Sequence, residues 1–144
     1  MSTIALTLNM QPHPKERPRC FCRHGKAHTH NSDIYIAWQN EAQFSLRQQW
    51  EGEALLAVKK LSIQFYGNHA GKDLDNILGA VMDALVHSEV LAKDNLTCIN
   101  HIETAWERSR FGRIEILIEL PEETLQPRVR PETVTLAGRR VSIT

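Results

Sequence analysis

The sequence predicts an α+β fold: a small mixed sheet of about four strands with two main helices. Three observations predict it. Apolar and polar residues alternate at 3–9, 59–67 and 113–120, the period of half-buried strands. Two longer stretches, 33–50 and 76–87, repeat their apolar residues at helical spacing instead. A chain of 144 residues that is 42% hydrophobic and 24% charged suffices for one domain with its own core. The expected organisation is one domain over residues 1–120 and a C-terminal tail over 121–144.

The first strand runs from Thr3 to Asn9, with Ile4, Leu6 and Leu8 on one face. A long loop, MQPHPKERPRCFCRHGKAHTHNSD, follows. Loops of this length inside a compact domain are usually functional or disordered. From Asp33 to Trp50 the pattern is helical, with Ile34, Trp38 and Phe44 as inward residues and Asp33 placed as a cap. KKLSIQFYG is the next strand, with Leu61, Ile63 and Phe65 alternating, and GNHAG ends it. The second helix spans Asn76 to His87, where Ile77, Val81, Met82 and Leu85 form the packing stripe. Strands at Thr97–Trp106 and Arg113–Leu120 complete the sheet, joined by RSRFG, which reads as a basic hairpin loop. In the tail, PEETLQPRVRP reads as a linker, and TVTLAGRRVSIT alternates on both sides of AGRR as a small terminal hairpin would.

The net charge is zero, so the composition as a whole does not mark a nucleic-acid binder. Its distribution is less even. Residues 12–30 carry Lys15, Arg17, Arg19, Arg23 and Lys26 against the single acid Glu16. A basic arm of this kind holds an anionic partner even on a neutral protein. Three cysteines, an odd number, argue against a disulfide framework and fit a reducing compartment. The N-terminus lacks the features of a signal peptide, and no apolar run reaches membrane-spanning length. The expectation is a cytoplasmic protein without a membrane partner.

The chemistry centres on GKDLDNILGAVMDALV, residues 71–86. Asp73 and Asp75 stand one residue apart at the entry to the second helix. Where that entry is extended, residues i and i+2 share a side, which brings two carboxylates together. Two close anions repel unless a cation shares them, and hard oxygen donors suit Mg²⁺ or Mn²⁺. The alternative is structural: Asp75 as N-cap and Asp73 as a turn residue, both favoured by the helix dipole. Asp94, in AKDN beyond the helix, is a third carboxylate that an antiparallel return would bring beside Asp75.

Two further groups carry weaker signals. Cys20, Cys22, His24, His28 and His30 are all zinc-ligand types, but Cys-x-Cys does not match the spacing of a standard structural site. A zinc-binding interaction module is the corresponding rival reading. The cations Lys15, Arg17, Arg19, Arg23 and Lys26, with Lys72, Arg108, Arg110 and Arg113, sit in loops suited to phosphate-backbone contact. Aromatics among them are few, so a stacking platform for single strands is poorly supported.

Together these residues resemble the RusA family of Holliday-junction resolvases. The resemblance rests on KDLDNILGAVMDAL followed by AKDN, spans about residues 3–120, and extends to PKERPR and HGKAHTH as a basic N-terminal loop. It implies a homodimeric, Mg²⁺-dependent endonuclease that binds four-way DNA and nicks two strands symmetrically, with no small-molecule cofactor beyond the metal. It assigns metal binding and catalysis to Asp73, Asp75 and Asp94, and makes Asn76 and Lys93 candidates for catalytic support. Asp83 matches the family's Asp-Ala-Leu. Two positions depart from the pattern. Gly79 stands where the family commonly has a lysine, and Lys93 stands where an acidic residue often precedes the later aspartate. These departures motivate a second expectation, a catalytically weak or inactive junction-binding protein on the same fold.

Overall fold

The computed structural model describes residues 2–16, 19–23, 26–30, 32–68, 71–121, 133–136 and 139–142. In chain order the elements are β1 (Thr3–Leu8), β2 (Arg19–Arg23), β3 (Lys26–His30), α1 (Asp33–Gln49) and β4 (Lys60–Gly67). They continue with α2 (Leu74–His87), β5 (Ile102–Arg108), β6 (Arg113–Glu119), β7 (Thr133–Leu136) and β8 (Arg139–Ser142). A mixed sheet of order β1-β6-β4-β5 forms the centre. The pairs β2–β3 and β7–β8 are separate antiparallel ladders.

The predicted alternations become the buried face of this sheet. Register aligns Leu6 with Ile116 and Ile116 with Ile63, so the apolar residues of β1, β6 and β4 share one side. Ile4, Leu8, Leu61, Phe65, Ile114 and Ile118 extend that layer, each almost wholly buried. Both helices cover it: α1 through Tyr35, Trp38, Ala42 and Leu46, and α2 through Ile77, Ala80, Val81, Ala84 and Leu85. Burying these side chains is the main force that holds the layers together.

Several local expectations are corrected. Phe44 and Ile34 are 63% and 71% exposed rather than inward. The buried stripe of α1 is Tyr35, Trp38, Gln39, Ala42 and Leu46. At roughly 100° per residue Phe44 lies on the opposite face from that stripe. The cap is Ser32 rather than Asp33: its hydroxyl accepts the Tyr35 N–H at 3.2 Å. Glu16 reinforces it, accepting the Ser32 N–H at 2.9 Å and the Ser32 hydroxyl at 2.6 Å. Ser32→Ala is therefore expected to lower stability by about 1 kcal/mol, read by denaturant unfolding.

The RSRFG segment is not a hairpin loop. β4 lies between β5 and β6, pairing parallel with β5 and antiparallel with β6. Alternation reveals a strand but not its neighbour, and α2 supplies the crossover that a parallel pair requires. β5 also begins later than expected. Residues before it form a turn in which the Asn95 side-chain oxygen accepts from Thr97 N at 3.2 Å and Thr97 Oγ1 at 2.6 Å. Within the long loop, the β2–β3 pair was not anticipated. The X-Gly dipeptide His24-Gly25 between two β-prone stretches is the sequence signal for it.

Candidate active site

One end of the sheet gathers part of the predicted site. β4 and β5 run parallel, so both end beside the start of α2. Asp73 occupies the N-cap position of α2 with extended backbone, and Asp75 lies in the first turn, so the helix begins two residues earlier than expected. Asp73 caps none of the helix N–H groups with its side chain. Instead its Oδ2 accepts a long contact from Asn76 Nδ2 at 3.5 Å. The structural alternative is corrected: the N-cap position falls to Asp73 rather than Asp75, and no side-chain capping bond is made there. Both carboxylates are exposed at the positive end of a helix dipole.

Asp94 lies elsewhere. After α2 the chain turns, Leu91 bridges Leu55, and Ile99 bridges Val58, both just before β4 begins. Asp94, between those bridges, therefore sits near the start of β4, whereas Asp73 and Asp75 sit past its end. The fourteen residues of α2 separate the two places, about 20 Å of helix. Among the described residues no three His, Cys, Asp or Glu side chains form a group able to hold a metal ion. The antiparallel return is β5, which begins only at Ile102, so Asp94 stays in the turn before it and is not brought beside Asp75. The donor set, all carboxylate oxygen, fits a hard divalent cation. One chain brings only Asp73 and Asp75 to the same helix end. Each separated part carries an exposed leucine: Leu74, 50% exposed, between Asp73 and Asp75, and Leu96, 80% exposed, two residues after Asp94.

The cations divide the same way. Lys72 precedes Asp73 and, with Phe65, Leu74, Ile77 and Trp106, lines a cavity of about 300 Å³. Arg108 stands 5.8 Å over the Trp106 ring and donates to Asn68 Oδ1 at 3.3 Å, across the ends of β5 and β4. Arg110 is exposed in the loop beyond β5. These residues share the end of the sheet with Asp73 and Asp75; Lys93 stays with Asp94. Arg17 and His24 lie outside the described residues. Arg19, Arg23 and Lys26 lie on the β2–β3 pair, where Arg23 and Lys26 are register partners. In that ladder Cys20 and Cys22 stand opposite Thr29 and Ala27, whereas His28 and His30 stand opposite Phe21 and Arg19.

The segment between β1 and β2 ties these parts together. Gln11 Nε2 donates to the Arg110 carbonyl at 3.3 Å, and Gln11 Oε1 accepts from Asn68 N at 3.4 Å. Trp38 Nε1 donates to the Gln11 carbonyl at 2.8 Å. His13 packs on Tyr35 and Trp38 with ring centroids 5.7 and 6.2 Å away. Lys15 then reaches α2: its N–H donates to the Asn76 carbonyl at 2.7 Å, and its Nζ pairs with Asp83 Oδ2 at 3.1 Å. Burial raises the Tyr35 phenol above its ordinary pKa, opposed by the Gln39 hydrogen bond and reinforced by Asp83. Tyr35 therefore keeps its proton beside that carboxylate. Sequence reading missed Gln11, Ser32 and Gly112 as site-building residues. For Gly112 the signal was the glycine in RSRFG, read instead as a hairpin turn.

With this geometry established, comparison with known proteins gives one family. A family model described as endodeoxyribonuclease RusA matches residues 9–119. No curated protein matches the chain. Among solved structures, the chain is similar to CetZ from Methanosaeta thermophila strain DSM 6194, at 15% identity and a TM-score of 0.36. That match covers 65% of this chain and a quarter (25%) of the other.

Proposed function

The chain belongs to the RusA family of endodeoxyribonucleases, and from that premise we propose that it resolves four-way DNA junctions as a homodimer by paired, symmetric, divalent-metal-dependent nicks. The observation that carries the dimer is the separation of its carboxylates by the length of α2. One chain offers Asp73 and Asp75 at one end and Asp94 at the other. In a two-fold dimer the Asp94 stretch of one copy meets the α2 entry of the other, and the same contact repeats by symmetry. Such a contact would cover Leu74 and Leu96, the exposed leucines beside the two carboxylate stretches. Two such composite sites also suit two cuts on a two-fold junction.

Asp73 and Asp75 of one chain, with Asp94 of the second, would hold Mg²⁺ or Mn²⁺. When bound, such an ion polarises a phosphate oxygen and supplies an activated water. The protein's own side chains bind and orient the DNA. Lys72, Arg108 and Arg110 at the carboxylate end, with Arg19, Arg23 and Lys26 on the β2–β3 pair, contact phosphates without reading bases. Asn76 steadies Asp73, and Lys93 travels with Asp94 toward the partner's site.

The test is nicking of a four-way junction in Mg²⁺ against linear duplex of the same sequence. Paired nicks confined to the junction are expected. Junction affinity should also fall steeply with salt, by about 0.9 decades per decade of salt for each phosphate contact. Equal cutting of linear duplex removes the junction assignment. Gly79 favours a second reading, a binder that does not cut, because it puts no cation on α2 one turn after Asp75. That reading predicts junction-selective binding with no nicking in either Mg²⁺ or Mn²⁺.

A further inference from the structure

We propose that Gly79 is a seat for Lys15, and that Lys15 held there fixes the root of the basic β2–β3 hairpin beside the carboxylate end of α2. The inference rests on the junction-binding reading above. The Lys15 N–H donates to the Asn76 carbonyl at 2.7 Å, one residue past Asp75. The side chain then runs along the helix. A Cβ built on Gly79 would meet Lys15 Cδ at 3.2 Å and Lys15 Cβ at 3.6 Å, so the lysine stem lies where a side chain would stand. Its ammonium ends on Asp83, 3.1 Å from Oδ2 and 3.4 Å from Oδ1. Asn76, Gly79 and Asp83 follow one another at spacings of three and four residues, which places them on one helix stripe. Lys15 tracks that stripe from a backbone bond, past a notch, to a counter-charge.

The next residue fixes the other side of the root. Glu16 accepts both the N–H and the hydroxyl of Ser32, the residue that begins the chain's entry into α1 after the hairpin. Lys15 and Glu16 therefore clamp the two ends of the hairpin, one to α2 and the other to the start of α1. Arg19, Arg23 and Lys26 lie on the strands so planted. Lys15 is a positioning residue in this arrangement. Its charge is engaged by Asp83, and exposed ion pairs contribute little alone, so the backbone bond and the seated stem do the fixing.

The test compares the full-length wild type with Gly79→Leu, Lys15→Ala, Lys15→Met and the Gly79→Leu/Lys15→Ala double variant. Gly79→Leu is expected to speed exchange of the Lys15 amide by at least about tenfold, as its local opening becomes easier. It should also weaken junction binding by about tenfold, with single-turnover nicking at saturating protein unchanged. Lys15→Ala, at an exposed position, should show the same loss of affinity, and the double variant no more, because both changes remove one contact. Lys15→Met keeps the stem and should rescue binding to within about twofold of wild type, with the same salt dependence. A wild-type Lys15 amide that exchanges at the rate of a free chain overturns the seat. So does junction binding by Gly79→Leu equal to wild type. A salt slope lower by about one for Lys15→Met marks a direct phosphate contact and overturns the positioning role. Wild type that binds no junction overturns the function reading instead, and the amide measurement then decides the seat by itself.

Discussion

Asp75→Asn is expected to lower nicking of a four-way junction by at least about 10²-fold, the scale of removing one preorganised electrostatic group from a catalytic site. Junction affinity should be retained, because the phosphate contacts lie on other residues. Asp94→Asn should do the same from the far end of α2. The informative experiment mixes the two. If each site takes Asp75 from one chain and Asp94 from the other, a heterodimer of the two variants has one doubly damaged site and one intact site. Two inactive proteins should then regain single-strand nicking on mixing, without paired cuts. If the three carboxylates act within one chain, both sites of the heterodimer are damaged and the mixture stays inactive. Equal nicking by wild type and Asp75→Asn removes Asp75 from the site altogether.

The second large effect is on stability. Gly112→Ala is expected to destabilise the fold by about 3 kcal/mol, a fall in Tm of roughly 10 °C. A Cβ at Gly112 would overlap the backbone N and Cα of Gln11 and the carbonyl carbon of Met10. Backbone cannot rotate away as a side chain can. Moving this stretch would also break the Trp38, Asn68 and Arg110 contacts that hold Gln11. Gly79 makes the contrast. There an added Cβ meets only the lysine stem, which can shift, and alanine restores about 1 kcal/mol of helix propensity. Gly79→Ala should therefore change stability by under about 1 kcal/mol. Thermal or denaturant unfolding of both variants separates the two kinds of glycine, and a Gly112→Ala protein as stable as wild type would sink the close-approach argument.

The readable part of this protein was written in local periods. Ile4, Leu6 and Leu8, then Leu61, Ile63 and Phe65, then Ile114, Ile116 and Ile118 alternate because a strand turns every second side chain to the core. Ile77, Val81 and Leu85 recur because a helix does so every three or four residues. The aspartate pair was legible for the same reason: the spacing of Asp73 and Asp75 is itself local. Phe44 shows the limit, since an apolar residue out of phase with its stripe is indistinguishable by type from one in phase.

By itself, then, the sequence determined the sheet face, the two helices and the paired carboxylates at the start of α2, each carried by residues close together in the chain. Tertiary structure alone decided that β4 separates β5 from β6, that Asp94 lies at the opposite end of α2, and that two glycines receive the N-terminal segment. The contacts that hold that segment join residues 68 and 99 positions apart, Lys15 to Asp83 and Gln11 to Arg110. Such contacts depend on how packed layers bring distant backbone together, and a close approach of this kind leaves no period in the sequence.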